Sequence, residues 1–208
     1  MPKLLDGTVA RIKVKILGAA RKQFTRQGFH GTTVREIARA AGVSMGKLYL
    51  YYPTKEDIFI DLVHQMGQKM EVLRQKELLP FMQSPDPESL KKLGMAIGRI
   101  VSENLDYWRL MYIDVVEFRH KHFIHSYYEI AGGLRNYAAA MFQKAPTPFP
   151  ADVNAGFAYA NLYLQFVTYF LVENLFGAKR HLGVSDEEAV DQFVRLYTRG
   201  GKRRISKK

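Results

Sequence analysis

Apolar residues recur every three to four positions along most of the chain, and strand-like alternation is weak throughout, so the pattern is helical. Ile12, Ile16, Leu17, Ala20 and Phe24 form one stripe, with Lys and Arg on the opposite face, which predicts an amphipathic helix from Thr8 to Gln27 that stops near Gly28. Thr33 with Glu36 three residues later is a capping box, and it opens a second helix that turns Ile37, Ala38 and Ala41 inward. Gly42 breaks that pattern, Ser44 offers a new cap, and a short helix runs from Met45 into Tyr52 before Pro53 stops it. Thr54 with Asp57 repeats the capping signature and starts a longer helix through Ile58, Phe59, Leu62, Val63 and Met66.

The larger remainder reads the same way. Three prolines between Pro80 and Pro87 mark a loop, and Leu90 to Phe118 reads as one helix with Leu93, Ile97, Ile100, Val101, Leu105 and Trp108 on one side. Phe123 to Phe142 reads as another helix, Ala145 to Pro150 as a connection, Ala151 to Phe176 as a long apolar helix, and Asp186 to Thr198 as the last one. The fold class expected is all-α: an N-terminal three-helix domain over residues 1–53, a larger helical domain over residues 54–198, and a basic tail over residues 199–208 expected to be disordered.

Composition narrows the function classes. The 208 residues are 47% hydrophobic and 25% charged, near the globular average, so neither a low-complexity nor a fibrous chain fits. With no cysteine there is no disulfide framework, thiolate metal site or cysteine nucleophile. The first residues, Met1 to Gly7, lack an apolar stretch and do not read as a secretory signal, which fits a cytoplasmic protein. Ala155 to Val172 carries no charge, but Gly156, Asn161, Gln165 and Thr168 interrupt it, so a helix buried in a core or a subunit interface is expected there, with no membrane partner. No phosphate-binding glycine loop and no nucleophile elbow is present, so no enzyme and no cofactor are expected.

The formal net charge of +11 is unevenly placed. Residues 1–56 carry eleven basic and three acidic side chains, and residues 195–208 carry seven basic and no acidic ones, around a mildly acidic middle. A basic N-terminal block suits a polyanion, because each phosphate neutralised releases counterions.

The sharpest motif is Ala38, Gly42 and Leu48, spaced A-x3-G-x5-L between two short helices. A small residue at 38 lets the helices cross closely, Gly42 takes the left-handed conformation of a tight turn, and Leu48 plugs the second helix into the core. That is helix-turn-helix geometry, whose second helix can enter the DNA major groove. The runs Gly28 to Ala38, Ala41 to Ser44, Leu48-Tyr49 and Tyr51 to Glu56 resemble the DNA-binding domain of TetR-family transcriptional regulators, over roughly residues 10–60. The resemblance implies DNA contacts from Thr33 and Arg35 at the start of the second helix and from Ser44, Met45, Gly46, Lys47, Tyr49 and Leu50 on the third. Lys47 would donate to guanine or phosphate, Met45 offers only apolar contact, and Tyr49 would hydrogen-bond a phosphate. Lys55 would add a point charge to the backbone clamp. Leu50 stands where the family often has a polar or aromatic residue, so a phosphate contact is not carried over to it.

For the larger half the resemblance implies a homodimer formed by the last two helices and a small, largely apolar or aromatic effector. Trp108, Tyr112, Phe118, Tyr163 and Phe166 are the candidate lining among many aromatics that belong to the core. His120, His122 and His125 lie close together, but Arg119 and Lys121 oppose a cation, so no metal site is assigned. The function implied is a ligand-released, homodimeric repressor of a double-stranded DNA operator. The alternative is a DNA-binding protein of the same fold with no effector, acting as an adaptor or nucleoid-associated factor.

Overall fold

A computed structural model describes residues 2–82, 86–142, 147–177 and 180–198, so the basic tail lies outside the described residues. Among the described residues there are helices and no strands. Helices α1 (Pro2–Gln27), α2 (Val34–Ala41), α3 (Met45–Tyr51) and α4 (Lys55–Leu73) are followed by a π-helical turn, Arg74–Leu78, and a four-residue α5 (Leu79–Met82). Then come α6 (Pro87–Glu103), α7 (Leu105–Phe118), α8 (Ile124–Phe142), α9 (Ala155–Leu175) and α10 (Asp186–Thr198). The all-α class therefore holds.

Several boundaries differ from the sequence reading; within the stretch read as a loop from Pro80, α5 runs to Met82, and the next helix starts at Pro87 rather than Leu90. The first helix reaches back to Pro2. The long apolar helix begins at Ala155 rather than Ala151, because the Asn154 side chain accepts from the Phe157 N–H at 2.9 Å and caps it there. The helix expected over Leu90 to Phe118 is two helices broken at Asn104, whose backbone leaves the helical region at φ −127°, ψ 37°. The Asn104 amide donates to the Ile100 carbonyl at 2.8 Å, so the break is filled by its own side chain.

The chain folds as two compact units. The first comprises the described residues of 1–70 and 106–125, and the second the described residues of 71–105 and 126–198. In the first, Ile16, Ala20, Phe24, Ile37, Leu48, Ile58, Phe59 and Leu110 are fully buried. Phe24, Phe29, Phe59 and Phe118 form an aromatic cluster with ring centroids 4.5 to 5.6 Å apart. Each such ring withdrawn from water stabilises the unit by about 1.5–3 kcal/mol.

In the second unit α6 packs on α9 and α10 through two glycines. A Cβ at Gly94 would sit 2.8 Å from Val190 Cγ1, and one at Gly98 would sit 2.5 Å from the Phe170 ring. Asp86 caps α6 by accepting from the Glu88 and Ser89 N–H groups at 3.0 Å, with Pro87 in the first turn. Lys91 and Arg195 both pair with Asp191, at 2.5 and 2.6 Å. Helix α9 is long and apolar enough to cross a membrane by length and composition alone, but Tyr159, Leu162, Phe166, Tyr169 and Phe170 on it are buried within the unit.

Candidate nucleic-acid interface

Local signals set the geometry of α2 and α3. The Thr33 hydroxyl accepts from the Glu36 N–H at 3.2 Å, and the Glu36 carboxylate accepts from the Thr33 N–H at 2.8 Å, closing the capping box. These bonds from Thr33 hold the Glu36 carboxyl below its usual value. Helix α2 ends at Gly42, which is left-handed at φ 65°, ψ 36°, and the Val43 N–H returns to the Ala38 carbonyl at 3.0 Å. The Ser44 side chain accepts from the Lys47 N–H at 3.2 Å and starts α3. Leu48, fully buried, anchors α3 to the core, and Tyr52 donates its hydroxyl to Asp61 at 2.6 Å. Burial, then the Asp61 carboxylate, push the Tyr52 phenol well up.

With Leu48 turned inward, α3 presents Gly46, Lys47, Tyr49 and Leu50 outward, and its cap Ser44 is exposed too. Leu50 is 76% exposed and Tyr49 46%. Thr33 and Arg35 are exposed at the start of α2. Met45 is half-buried against the core, so only part of its side chain faces out.

Lys55 is placed differently from a simple surface charge. Its ammonium donates to the Phe29 and Thr32 carbonyls at 2.7 and 2.6 Å and lies 4.2 Å from the centre of the Phe29 ring. Burial lowers its pKa against the opposing pull of Glu117 and Glu36. It ties the first turn of α4 to the turn between α1 and α2.

The same turn is held from α7. Glu117 accepts from the Phe29 N–H at 3.0 Å and the His30 N–H at 2.7 Å, and its second oxygen lies 2.5 Å from His30 Nδ1. Gly28, at φ 78°, leaves room for that carboxylate: a Cβ there would lie 2.6 Å from Glu117 Oε1. Burial alone would raise the Glu117 carboxyl, but the His30 and Phe29 amides outweigh it and leave the group below its ordinary value. Nearby, Lys121 pairs with Glu56 at 2.7 Å, and His122 Nε2 lies 3.3 Å from the same carboxylate. The buried Asp114 accepts from the His122 and Phe123 N–H groups at 3.1 and 3.0 Å. The histidine-rich stretch thus serves as a capped turn of the first unit. Among the described residues no cluster of metal-ligating side chains is present.

Sequence reasoning missed Glu117, because its partners lie 87 and 88 residues away and a single acid at the end of a helix carries no local signal.

The five candidate effector residues fall in both units. Trp108, Tyr112 and Phe118 belong to the first, where Phe118 packs on Phe29, Phe59 and His122, Trp108 meets Tyr107 edge-on, and Tyr112 is 43% exposed. Tyr163 and Phe166 belong to the second, where Phe166 is fully buried beside Gly94 and Phe193, and burial raises the Tyr163 phenol. A shallow recess of about 260 Å³ in the second unit is lined by Met95, Gly98, Arg99, Ser102, Phe170, Asn174 and Asp186.

Residues 16–62 match the family model described as bacterial regulatory proteins, tetR family. The HTH-type transcriptional repressor AcnR of Corynebacterium jeikeium is 35% identical over 77 residues, covering 37% of this chain and 41% of that protein. RutR of Escherichia coli, an HTH-type transcriptional regulator, is 43% identical over 58 residues, covering 28% of this chain and 27% of that one. The chain therefore spans less than half the length of these curated relatives. Likeness of fold runs further. A TetR-family regulator structure from Mesorhizobium loti superposes with a TM-score of 0.68 at 17% identity, over 90% of this chain and 95% of that one. The fatty acid degradation regulator FadR of Bacillus halodurans gives 0.63 at 22% identity, over 92% and 96%.

Proposed function

We propose, from the match of residues 16–62 to the tetR-family model, that this chain is a cytoplasmic, homodimeric transcriptional repressor of that family, which binds an operator through α3 and leaves it when an effector binds. The observation that carries this reading is α3 itself: capped by Ser44, pinned by Leu48, and exposing Gly46, Lys47, Tyr49 and Leu50 together. Residues within 1–53 read DNA and residues within 54–198 bind effector and partner subunit. Lys47 donates to a base or a phosphate, Tyr49 to a phosphate, and Thr33 and Arg35 meet the adjacent backbone. Lys55 adds charge to the clamp while it tethers the α1–α2 turn.

Dimerisation through α9 and α10 is supported by the apolar side chains they leave exposed, Phe157 at 66%, Leu164 at 52% and Leu196 at 73%, which a symmetric partner would cover. Two α3 helices related by that axis would enter successive major grooves about 34–36 Å apart. The effector would release DNA only as far as it binds the released form more tightly. Trp108, Tyr112 and Phe118 belong to the first unit and Tyr163 and Phe166 to the second, so the five are not proposed as one lining.

A second reading keeps the DNA interface and drops the effector. The recess of about 260 Å³ in the second unit is lined by none of the five candidate effector contacts. Native mass spectrometry separates the two by reporting dimer mass and any retained small molecule. Mobility shifts with genomic fragments over a salt series test the shared part: Lys47→Ala is expected to relax base preference, and no shift at any ionic strength would overturn the reading.

A further inference from the structure

Two features of α3 have no explanation inside the chain. Gly46 lies in the first turn of a helix, where glycine costs about 1 kcal/mol relative to alanine, yet a Cβ there would meet nothing within 4 Å and its backbone is not left-handed. The fold does not need that glycine. Leu50 is 76% exposed on the same helix, whereas the buried anchor, Leu48, points the other way. Gly46 and Leu50 are four residues apart and Lys47 and Leu50 three apart, so all three share one face. That face therefore offers a gap, a single cation and a bare hydrocarbon side by side.

A leucine side chain has no hydrogen-bonding atom, so among the groups on base edges in the major groove it can favour only the thymine C5-methyl. We propose that Leu50 selects a thymine in each half-site by contact with that methyl, that Gly46 supplies the clearance for the close approach, and that Lys47 reads a guanine beside it. The step from Lys47 to Leu50 is about 4.5 Å along the helix axis, close to the roughly 3.4 Å rise of one base pair. The guanine and the thymine therefore lie within two base pairs of one another. This rests on the DNA-binding reading above and adds what sequence is read.

The test uses the full chain. Duplexes are selected from a random library by repeated rounds of binding, and each thymine of the selected half-site is then exchanged for deoxyuridine, which deletes the methyl and keeps the pairing edge. The expected result is one thymine whose exchange weakens binding about fourfold, the value of one buried methyl-sized group. Leu50→Ala should bind the thymine duplex correspondingly less tightly and be indifferent to the exchange. Replacing the neighbouring guanine by 7-deazaguanine should weaken the native protein and leave Lys47→Ala unmoved. Gly46→Ala should weaken every duplex without lowering the melting temperature. If no thymine is sensitive, or Leu50→Ala retains the same deoxyuridine penalty, the proposal is overturned while DNA binding stands. If no duplex is enriched in any round, the DNA-binding reading itself falls and this proposal with it.

Discussion

The two units are held by different kinds of interaction. In the first, short helices are fixed at their ends: Thr33 with Glu36, Gly42, Ser44, Thr54 with Asp57, and the Lys55 and Glu117 locks on the α1–α2 turn. In the second, long helices are fixed along their sides, with α6 brought close to α9 and α10 at Gly94 and Gly98, and charged pairs at the rim. A unit that must present an eight-residue helix and a seven-residue helix at a set angle cannot rely on propensity, because such short helices are marginal alone. Polar locks at each turn supply the angle. Long helices need only complementary faces, and their close approach is then a matter of volume.

The largest expected effect lies in the second unit. Gly98→Val would drive a branched side chain into the Phe170 ring and should destabilise that unit by about 3 kcal/mol or more, seen in urea denaturation; an unchanged midpoint would mean that α6 and α9 are not so close. Next is the first unit's lock. Glu117→Ala leaves the Phe29 and His30 amides without their acceptor and should cost about 2–3 kcal/mol, with faster hydrogen exchange at those two amides, whereas Glu117→Gln should restore part of the loss. A Glu117→Ala chain whose two amides exchange as slowly as before would show that the lock carries no load.

Acid titration sharpens the comparison further. The Glu117 and Glu36 carboxyls are lowered in the folded chain, so the stability they contribute is fully present above the ordinary carboxylate value of about 4.3. It is lost as pH falls below that value and through their lower folded ones. Thermal melts from pH 6 to pH 2 should show the first unit weakening over that range, with a shallower slope in Glu117→Gln. The smallest effect is Ser44→Ala, which removes the α3 cap for about 1 kcal/mol and should weaken DNA binding through fraying of α3 while leaving the second unit's melting untouched.

Much of the first unit was legible because its instructions are local. Thr33 and Glu36 are three residues apart, Gly42 sits where the turn must go left-handed, and Ser44 precedes the helix it caps, so the α2 and α3 signals could be read within a span of about four residues. The break at Asn104 was less legible, since a lone asparagine among Ser102, Glu103, Leu105 and Asp106 has no proline or glycine beside it to mark a stop. Gly94 and Gly98 carry a four-residue spacing that permits close helix contact, but only the rings of Phe166 and Phe170 opposite them reveal what the spacing is for.

The sequence by itself determined the all-α class and the capped helix-turn-helix, because backbone caps, turn conformations and helical periodicity act between near neighbours. Tertiary structure alone decided that residues 106–125 pack with residues 1–70, that Glu117 grips the α1–α2 turn, and that Lys55 turns inward to the Phe29 and Thr32 carbonyls. Those contacts join residues 23 to 88 positions apart. A carboxylate or an ammonium finds such partners only after the chain has folded, since nothing in its own neighbourhood specifies which distant amide or carbonyl it will meet.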